Sequence, residues 1–356
     1  MKMNDFSHLG RATADALGEL VSLFGDDTYV WLSGLWEGEI GGFYYSVTAR
    51  DNDTVTYNNK EYRLLPDIES TVQAIRAVQN LGMLDRYGRD LRRGLPEEMQ
   101  KKLLAFATGL QSEDDGFFYH PQWGKAIIAS RRGRDNSWAT SIVKDLGGEF
   151  KYPLAADRLK SEGAASTATA EHLKSLESFK KYLDSFDFEE KSYPAGNTIG
   201  SQGLQIKSLG YFDFMMSYLT SKQKSKNGLW EENISYKSIN GLMKISGIYS
   251  GEYPYPNAEA AVESLMAGVM LEERPGAVVD VYNPWAAAVS IIGSHRQAGN
   301  TELADRLIGM ITDRAPELIR RTAEKISIFR KPDGSFSYCP DRCSSMQKVD
   351  ITSYTA

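Results

Sequence analysis

The densest run of side chains able to do chemistry lies between Asp114 and Trp138. It reads Asp114-Asp115-Gly116-Phe117-Phe118-Tyr119-His120-Pro121-Gln122-Trp123, then Arg131-Arg132-Gly133-Arg134-Asp135-Asn136-Ser137-Trp138. Arginine presents paired N–H donors that match a carboxylate or phosphate. Tryptophan faces suit the apolar C–H patches of sugar rings. Asp135 and His120 are the candidate proton-transfer groups, with Trp123, Arg134 and Trp138 as candidate substrate-binding groups. The competing expectation is a salt-bridged loop in which Asp135 or Asn136 caps the next helix.

A second constellation is Tyr236, Asn240 and Lys244, which fall on one helical face at i, i+4 and i+8. Tyr236 is a candidate acid–base group if burial or nearby charge shifts its pKa. Asn240 and Lys244 would bind substrate, with Trp230 just upstream; a solvated helix face is the alternative. Further candidate binding residues are Trp36, Glu37, Asn197 and Trp285. The glycines around Asn197 also suit close helix packing. Asn283-Pro284 reads as an N-cap followed by proline at the first helical position, which would let Trp285 project toward a cavity mouth. Asp67 and Glu69 are additional carboxylates, and a hydrolase needs two across its cavity. His8 and His172 read as surface residues, and His295 as a satisfied core histidine.

The elements that must position these groups are helical. Amphipathic periodicity predicts helices over Phe6–Phe24, Asp67–Leu81, Pro96–Gln111, Ser137–Leu146, Thr167–Phe186, Asn197–Leu209 and Tyr211–Gln223. The series continues with Lys237–Ser250, Asn257–Glu272, Pro284–Ala298 and Thr301–Phe329. Short hairpin strands fit Gly41–Thr48 and Asp53–Arg63, turned at Asn58-Asn59.

A turn motif recurs among these helices. Gln111 to Gly116-Phe117-Phe118, Gln223 to Gly228-Leu229-Trp230, and Arg330 to Gly334-Ser335-Phe336 each lead from a helix end through a turn glycine to an aromatic. Gly41-Gly42-Phe43-Tyr44-Tyr45 is a looser copy. The three glycines recur roughly every 110 residues, room for two hairpins of ~50–55 residues each. This pattern resembles the repeats of terpenoid cyclases and protein prenyltransferases, whose α/α toroid is shared by six-hairpin glycosidases and several polysaccharide lyases. The resemblance implies a single all-α domain over 1–356: a toroid of about six hairpins, the last incomplete unless Ser344–Ala356 begins a twelfth long helix. Gly116-x-x-x-His120 followed by Arg132-Gly133 and Trp138 is also similar to a segment of unsaturated-glucuronyl hydrolases. In this chain Arg134-Asp135-Asn136-Ser137 stands between Gly133 and Trp138.

Three functions follow as expectations. The first is a carbohydrate-active enzyme, a glycoside hydrolase or polysaccharide lyase, acting on an acidic oligosaccharide in the central cavity. The second is an isoprenoid cyclase or prenyltransferase-like protein, although no Asp-x-Asp-Asp string occurs. The third is a toroid that binds a glycan or protein without catalysis. Asp341-Arg342-Cys343 has the first part of a prenyltransferase zinc set, but no histidine follows it; Cys339 and Cys343 alone fall short of a zinc site. No metal or cofactor is expected. The net charge of −6 comes with no basic tract, so no nucleic-acid partner is expected. No run approaches the ~20 apolar residues of a membrane span. Two cysteines and a polar start to the chain suggest a cytoplasmic protein.

Overall fold

The computed structural model describes residues 6–51, 54–57, 60–84 and 87–341. The Asn58-Asn59 turn, Cys343 and the Ser344–Ala356 segment lie outside them. Seventeen α-helices and two small antiparallel hairpins are present among the described residues. In chain order the first part runs α1 (Arg11–Val21), α2 (Asp26–Ser33), β1 (Trp36–Glu37), β2 (Gly42–Phe43), α3 (Val47–Asp51), β3 (Thr54–Tyr57), β4 (Lys60–Arg63), α4 (Ile68–Asn80), α5 (Leu91–Gly94) and α6 (Glu97–Gly109). Next come α7 (Ala129–Asp145), α8 (Ala155–Glu162), α9 (Leu176–Asp184), α10 (Phe188–Gly200), α11 (Gly203–Ser208) and α12 (Phe212–Lys222). The chain continues with α13 (Tyr236–Ser246), α14 (Ala258–Met270), α15 (Val279–Gln297), α16 (Thr301–Thr312) and α17 (Ala315–Ser327). No helix among the described residues is long and apolar enough to cross a membrane.

One set of helices packs in succession: α4 on α7, α7 on α10, α10 on α13, and α13 on α15. Missing side chains permit the close approaches. A Cβ at Gly133 would collide with the Ser201 carbonyl, and one at Gly241 with Ser192. Other helices flank this set, α6 against α7, and α14 and α16 against α15. The largest core spans α10, α13, α14 and α15 and encloses Trp230, which is 1% exposed. Its indole N–H donates to the Leu219 carbonyl at 2.9 Å, as a buried indole requires. Two cations of α17 satisfy the open C-terminal carbonyls of α14. Lys325 donates to Val269 O at 2.6 Å, and Arg321 to Leu271 O at 2.9 Å.

The recurring turns dock on the starts of other helices. Gly116, Gly228 and Gly334 all have positive φ, where glycine carries no steric penalty. Asp115, Asn227 and Asp333 each accept the backbone N–H two residues on, at 3.2, 3.0 and 3.1 Å. At Gly116 a Cβ would meet the Pro153–Ala155 backbone, at Gly228 it would lie 2.5 Å from Ala261 N, and at Gly334 2.5 Å from Asp27 C. The third turn thereby joins the two ends of the described chain. Thr28 donates to Gly334 O at 2.9 Å, and α1 packs along α17. Leu32 of α2 shares a core cluster with Ala74 of α4.

Several boundaries differ from the sequence expectation. Helix α7 starts at Ala129, so Arg131–Trp138 is helix and neither Asp135 nor Asn136 is a cap. Helix α15 starts at Val279, which puts Asn283 and Pro284 inside it, Asn283 fully buried. In place of one helix over Asn197–Leu209 there are α10 and α11. Lys191 breaks the helical path of α10 (φ −138°), so Pro194 falls in the first turn after the kink, where its missing N–H costs little. The expected Thr167–Phe186 helix shortens to α9, capped by Ser175, and Thr301–Phe329 divides into α16 and α17. The Phe6–Phe24 helix shortens to α1, and α2 is additional.

Gly228→Ala is expected to cost more than the ~1 kcal/mol of an unfavourable φ alone. Gly299→Ala is the control, because Gly299 has φ +78° and open space around its Cβ position. Urea unfolding midpoints should fall further for Gly228→Ala; equal losses would show that turn docking contributes nothing.

Candidate functional site

Arg131, on the first turn of α7, is 1% exposed and surrounded by three carboxylates. Its Nη1 donates to Glu69 Oε2 at 2.6 Å, Nε to Asp135 Oδ1 at 2.8 Å, and Nη2 to Asp67 Oδ1 at 3.4 Å. Asp67 is also the N-cap of α4, accepting Ser70 N–H at 2.8 Å. One guanidinium cannot neutralise three desolvated carboxylates. Burial pushes the Asp135 carboxyl up to about 7 against the pull of Arg131. Burial also raises Glu69, with Arg131, Arg134 and Lys244 opposing it and Asp67 adding to it.

The second oxygen of Glu69 faces another cation, Arg134 Nη1 at 3.9 Å. Lys244 reaches the same neighbourhood from α13, its ammonium 5.4 Å from the Tyr193 ring centroid. Burial lowers its pKa to about 8, Arg134 lowers it further, and Glu69 opposes. Tyr193 of α10 is raised by burial, and the fields of Arg134, Asp280 and Glu69 also reach it. Tyr282 of α15 is 48% exposed, yet burial drives its hydroxyl far above the ordinary range. Glu69, Arg134, Lys244 and Tyr193, from α4, α7, α13 and α10, thus form one charged cluster, and the field of Glu69 also reaches Tyr282 of α15.

The other sequence-selected residues have separate surroundings. His120 is buried and stacks on Trp123 at 3.7 Å. Both its nitrogens are engaged, Nε2 3.1 Å from Pro66 O and Nδ1 accepting Gln122 N–H at 3.2 Å. Burial lowers its pKa to about 4, so it is a neutral latch on the loop entering α4. The Tyr236 hydroxyl donates to Glu273 O at 2.6 Å, and burial raises it to about 12. Asn240 bridges Asp280 and Asn283 at 2.7 and 2.8 Å. Trp138 is half-buried beneath the guanidinium groups of Arg131 and Arg134, at 5.9 and 5.4 Å. Asn197 is half-buried on α10. Trp285 donates to Thr322 at 2.9 Å, so its N–H points at α17. Trp36 packs on Phe43, and Glu37 accepts the Tyr44 hydroxyl at 3.3 Å, both within the first hairpin. Trp230 and Trp123 are core residues, not cavity walls.

His172 is not a surface residue: it is half-buried, stacked on Tyr182 at 3.8 Å and 2.7 Å from Gln202 Oε1. His295 is buried, with Nε2 2.9 Å from Tyr255 O. Arg131, Tyr193 and Tyr282 were missed as site residues. The Arg131–Asp135 spacing of i, i+4 is a helical ion-pair signature and was the available signal for the first. Among the described residues, no cluster of three or more His, Cys, Asp or Glu side chains could hold a metal ion. Arg131 itself occupies the centre of the carboxylate cluster. No family model, curated protein or solved structure matches the chain.

The two perturbed groups make opposite pH demands. Asp135 binds its proton more tightly folded than unfolded, so its contribution is present below about pH 4 and is lost as pH rises toward 7. His120 resists protonation when folded, so its contribution is lost as pH falls from about 6.5 to 4. On acidification through this window, the melting temperature of Asp135→Asn should drop more steeply than wild type and that of His120→Gln less steeply. Parallel profiles for all three proteins would contradict this assignment.

Proposed function

We propose that the chain is a carbohydrate-active enzyme, of glycoside hydrolase or polysaccharide lyase type, acting on an acidic oligosaccharide at the centre of an α/α toroid. The ring reading is supported by the succession α4–α7–α10–α13–α15 and by the Gly334 turn, which ties the C-terminal segment to α2, whose Leu32 shares a core cluster with α4. Its function rests on one observation: Glu69 lies between the buried cation Arg131 and the partly exposed cation Arg134, with Lys244 close by. Arg134 and Lys244 are the groups that would hold a uronate carboxylate. Tyr193 and Tyr282 offer ring faces to the sugar. Glu69, whose carboxyl burial raises, is the proton donor to the departing glycosidic oxygen; water bonds to the anomeric carbon as that bond breaks and gives its proton back to Glu69. Asp135 and Asp67 act through Arg131, as positioning residues.

The test is turnover of 4,5-unsaturated glucuronyl and uronate-containing oligosaccharides, followed by ultraviolet absorbance and reducing-end release. Glu69→Gln should lose at least about a hundredfold in kcat, the typical scale of general acid–base catalysis. Because Lys244 discharges near pH 8, KM should rise as pH passes through about 8, and Lys244→Arg should abolish that rise. Binding without turnover would leave a glycan-binding toroid. Stabilisation by a prenyl diphosphate, with no response to any uronate, would replace this reading with the isoprenoid one.

A further inference from the structure

A separate cavity of about 460 Å³ opens at the seam where the Gly334 turn meets the N-terminal hairpin. That volume falls within the ~300–1,000 Å³ of small-molecule sites. Trp31 of α2, Tyr45 ahead of α3 and Tyr338 after α17 give it three aromatic surfaces. Thr48, Ser335 and Asp333 supply hydroxyl and carboxylate groups between them. The Asp333 carboxylate is oriented by Ser335, whose N–H and hydroxyl donate to Oδ1 at 3.1 and 2.6 Å. Among the described residues, no lysine or arginine lines the cavity, in contrast to the central cluster.

The two places adjoin. Val278, which lines the cavity, stands two residues ahead of Asp280, whose carboxylate accepts the Asn240 amide at 2.7 Å, and Asn240 lies one helical turn from Lys244 on α13. Val278 N–H donates to Tyr338 O at 2.9 Å, which fixes this wall to the start of α15. Flat apolar faces beside neutral hydroxyls, with one carboxylate acceptor and no cation among the described lining residues, match a neutral pyranose and disfavour a uronate.

We infer that the seam cavity is a subsite for a neutral sugar unit covalently joined to the acidic unit held at the centre, making the substrate a mixed acidic–neutral oligosaccharide. The acidic half of this statement rests on the proposed function above; the neutral half rests on the seam cavity alone.

Isothermal titration of the full chain tests the two halves apart, with cellobiose, glucuronic acid, and glucuronic acid β-linked to glucose as probes. The mixed disaccharide should bind wild type about tenfold more tightly than glucuronic acid. That gain should vanish in Trp31→Ala and in Thr48→Trp, both of which should keep the wild-type affinity for glucuronic acid. Thr48 is exposed, so its substitution fills the cavity without removing core packing. Cellobiose should bind weakly and only when the cavity is intact. Cellobiose binding that depends on Trp31, with no glucuronic acid binding, would sink the acidic centre and uphold the neutral subsite. If neither cellobiose nor the mixed disaccharide responds to either substitution, the subsite is overturned, whatever glucuronic acid does.

Discussion

A guanidinium group stays protonated in any protein interior, so an arginine that is 1% exposed obliges carboxylates to gather around it. Arg131 imposes that obligation on the rest of the molecule. It draws in Asp67, which caps α4, Glu69 on the first turn of α4, and Asp135 one turn further along α7. The helix pairing, the cap and the orientation of Glu69 thus form one electrostatic unit. Removing one partner of such a buried arrangement typically costs ~3–5 kcal/mol, because the remaining charge is left uncompensated. Burial raises the carboxyls of Glu69 and Asp135 against the attraction of these cations, so the interaction that fixes the fold at this end also tunes Glu69.

A second device, built from helix ends, brings other helices into position. The residue before each recurrent turn reaches over to the start of another helix or its leading loop. Gln111 pairs with both the N–H and the carbonyl of Tyr152, at 3.1 and 2.9 Å. Gln223 donates to Gly228 O and Pro256 O, at 2.8 and 3.3 Å, and accepts from Asn257. In the third copy arginine replaces glutamine, and the partner is acidic: Arg330 pairs with Asp27 and donates to Leu23 O at 2.8 Å. The change from amide to guanidinium follows the change in what it must meet. This third copy is also the one whose partner lies at the other end of the sequence, where the extra Coulomb attraction works against a long loop closure.

How much of this could be read from the residue order depends on whether a signal was local. The all-helical class, the helix opening at Asp67 and the turn glycines are local matters, and the structure has them. The start of α7 was lost because Arg131, Arg132, Arg134, Asp135 and Asn136 are polar on every side, so hydrophobic periodicity sees a loop where tertiary ion pairs supply the burial. Pro284 suggested a helix start and lies inside α15; Pro194, just ahead of the expected Asn197–Leu209 helix, follows a kink that only packing reveals. Tyr193 and Tyr282 carry no motif at all. They become candidate site residues only through tertiary packing, which brings Tyr193 into the fields of Arg134 and Glu69 and Tyr282 into that of Glu69.

Sharing a helical face is weaker information than it looks. Tyr236, Asn240 and Lys244 lie along one stripe of α13, but eight residues of helix span ~12 Å, longer than any one side-chain cluster. The stripe consequently crosses three environments. Tyr236 meets the Glu273 carbonyl and Lys325, Asn240 bridges Asp280 and Asn283, and only Lys244 shares the field of Arg134 and Glu69. Register on a helix selects a direction; depth along it selects the chemistry. At the depth of Lys244 the facing helices contribute Glu69, Arg134 and Tyr193, which is why the candidate site is set by the level at which the helices cross.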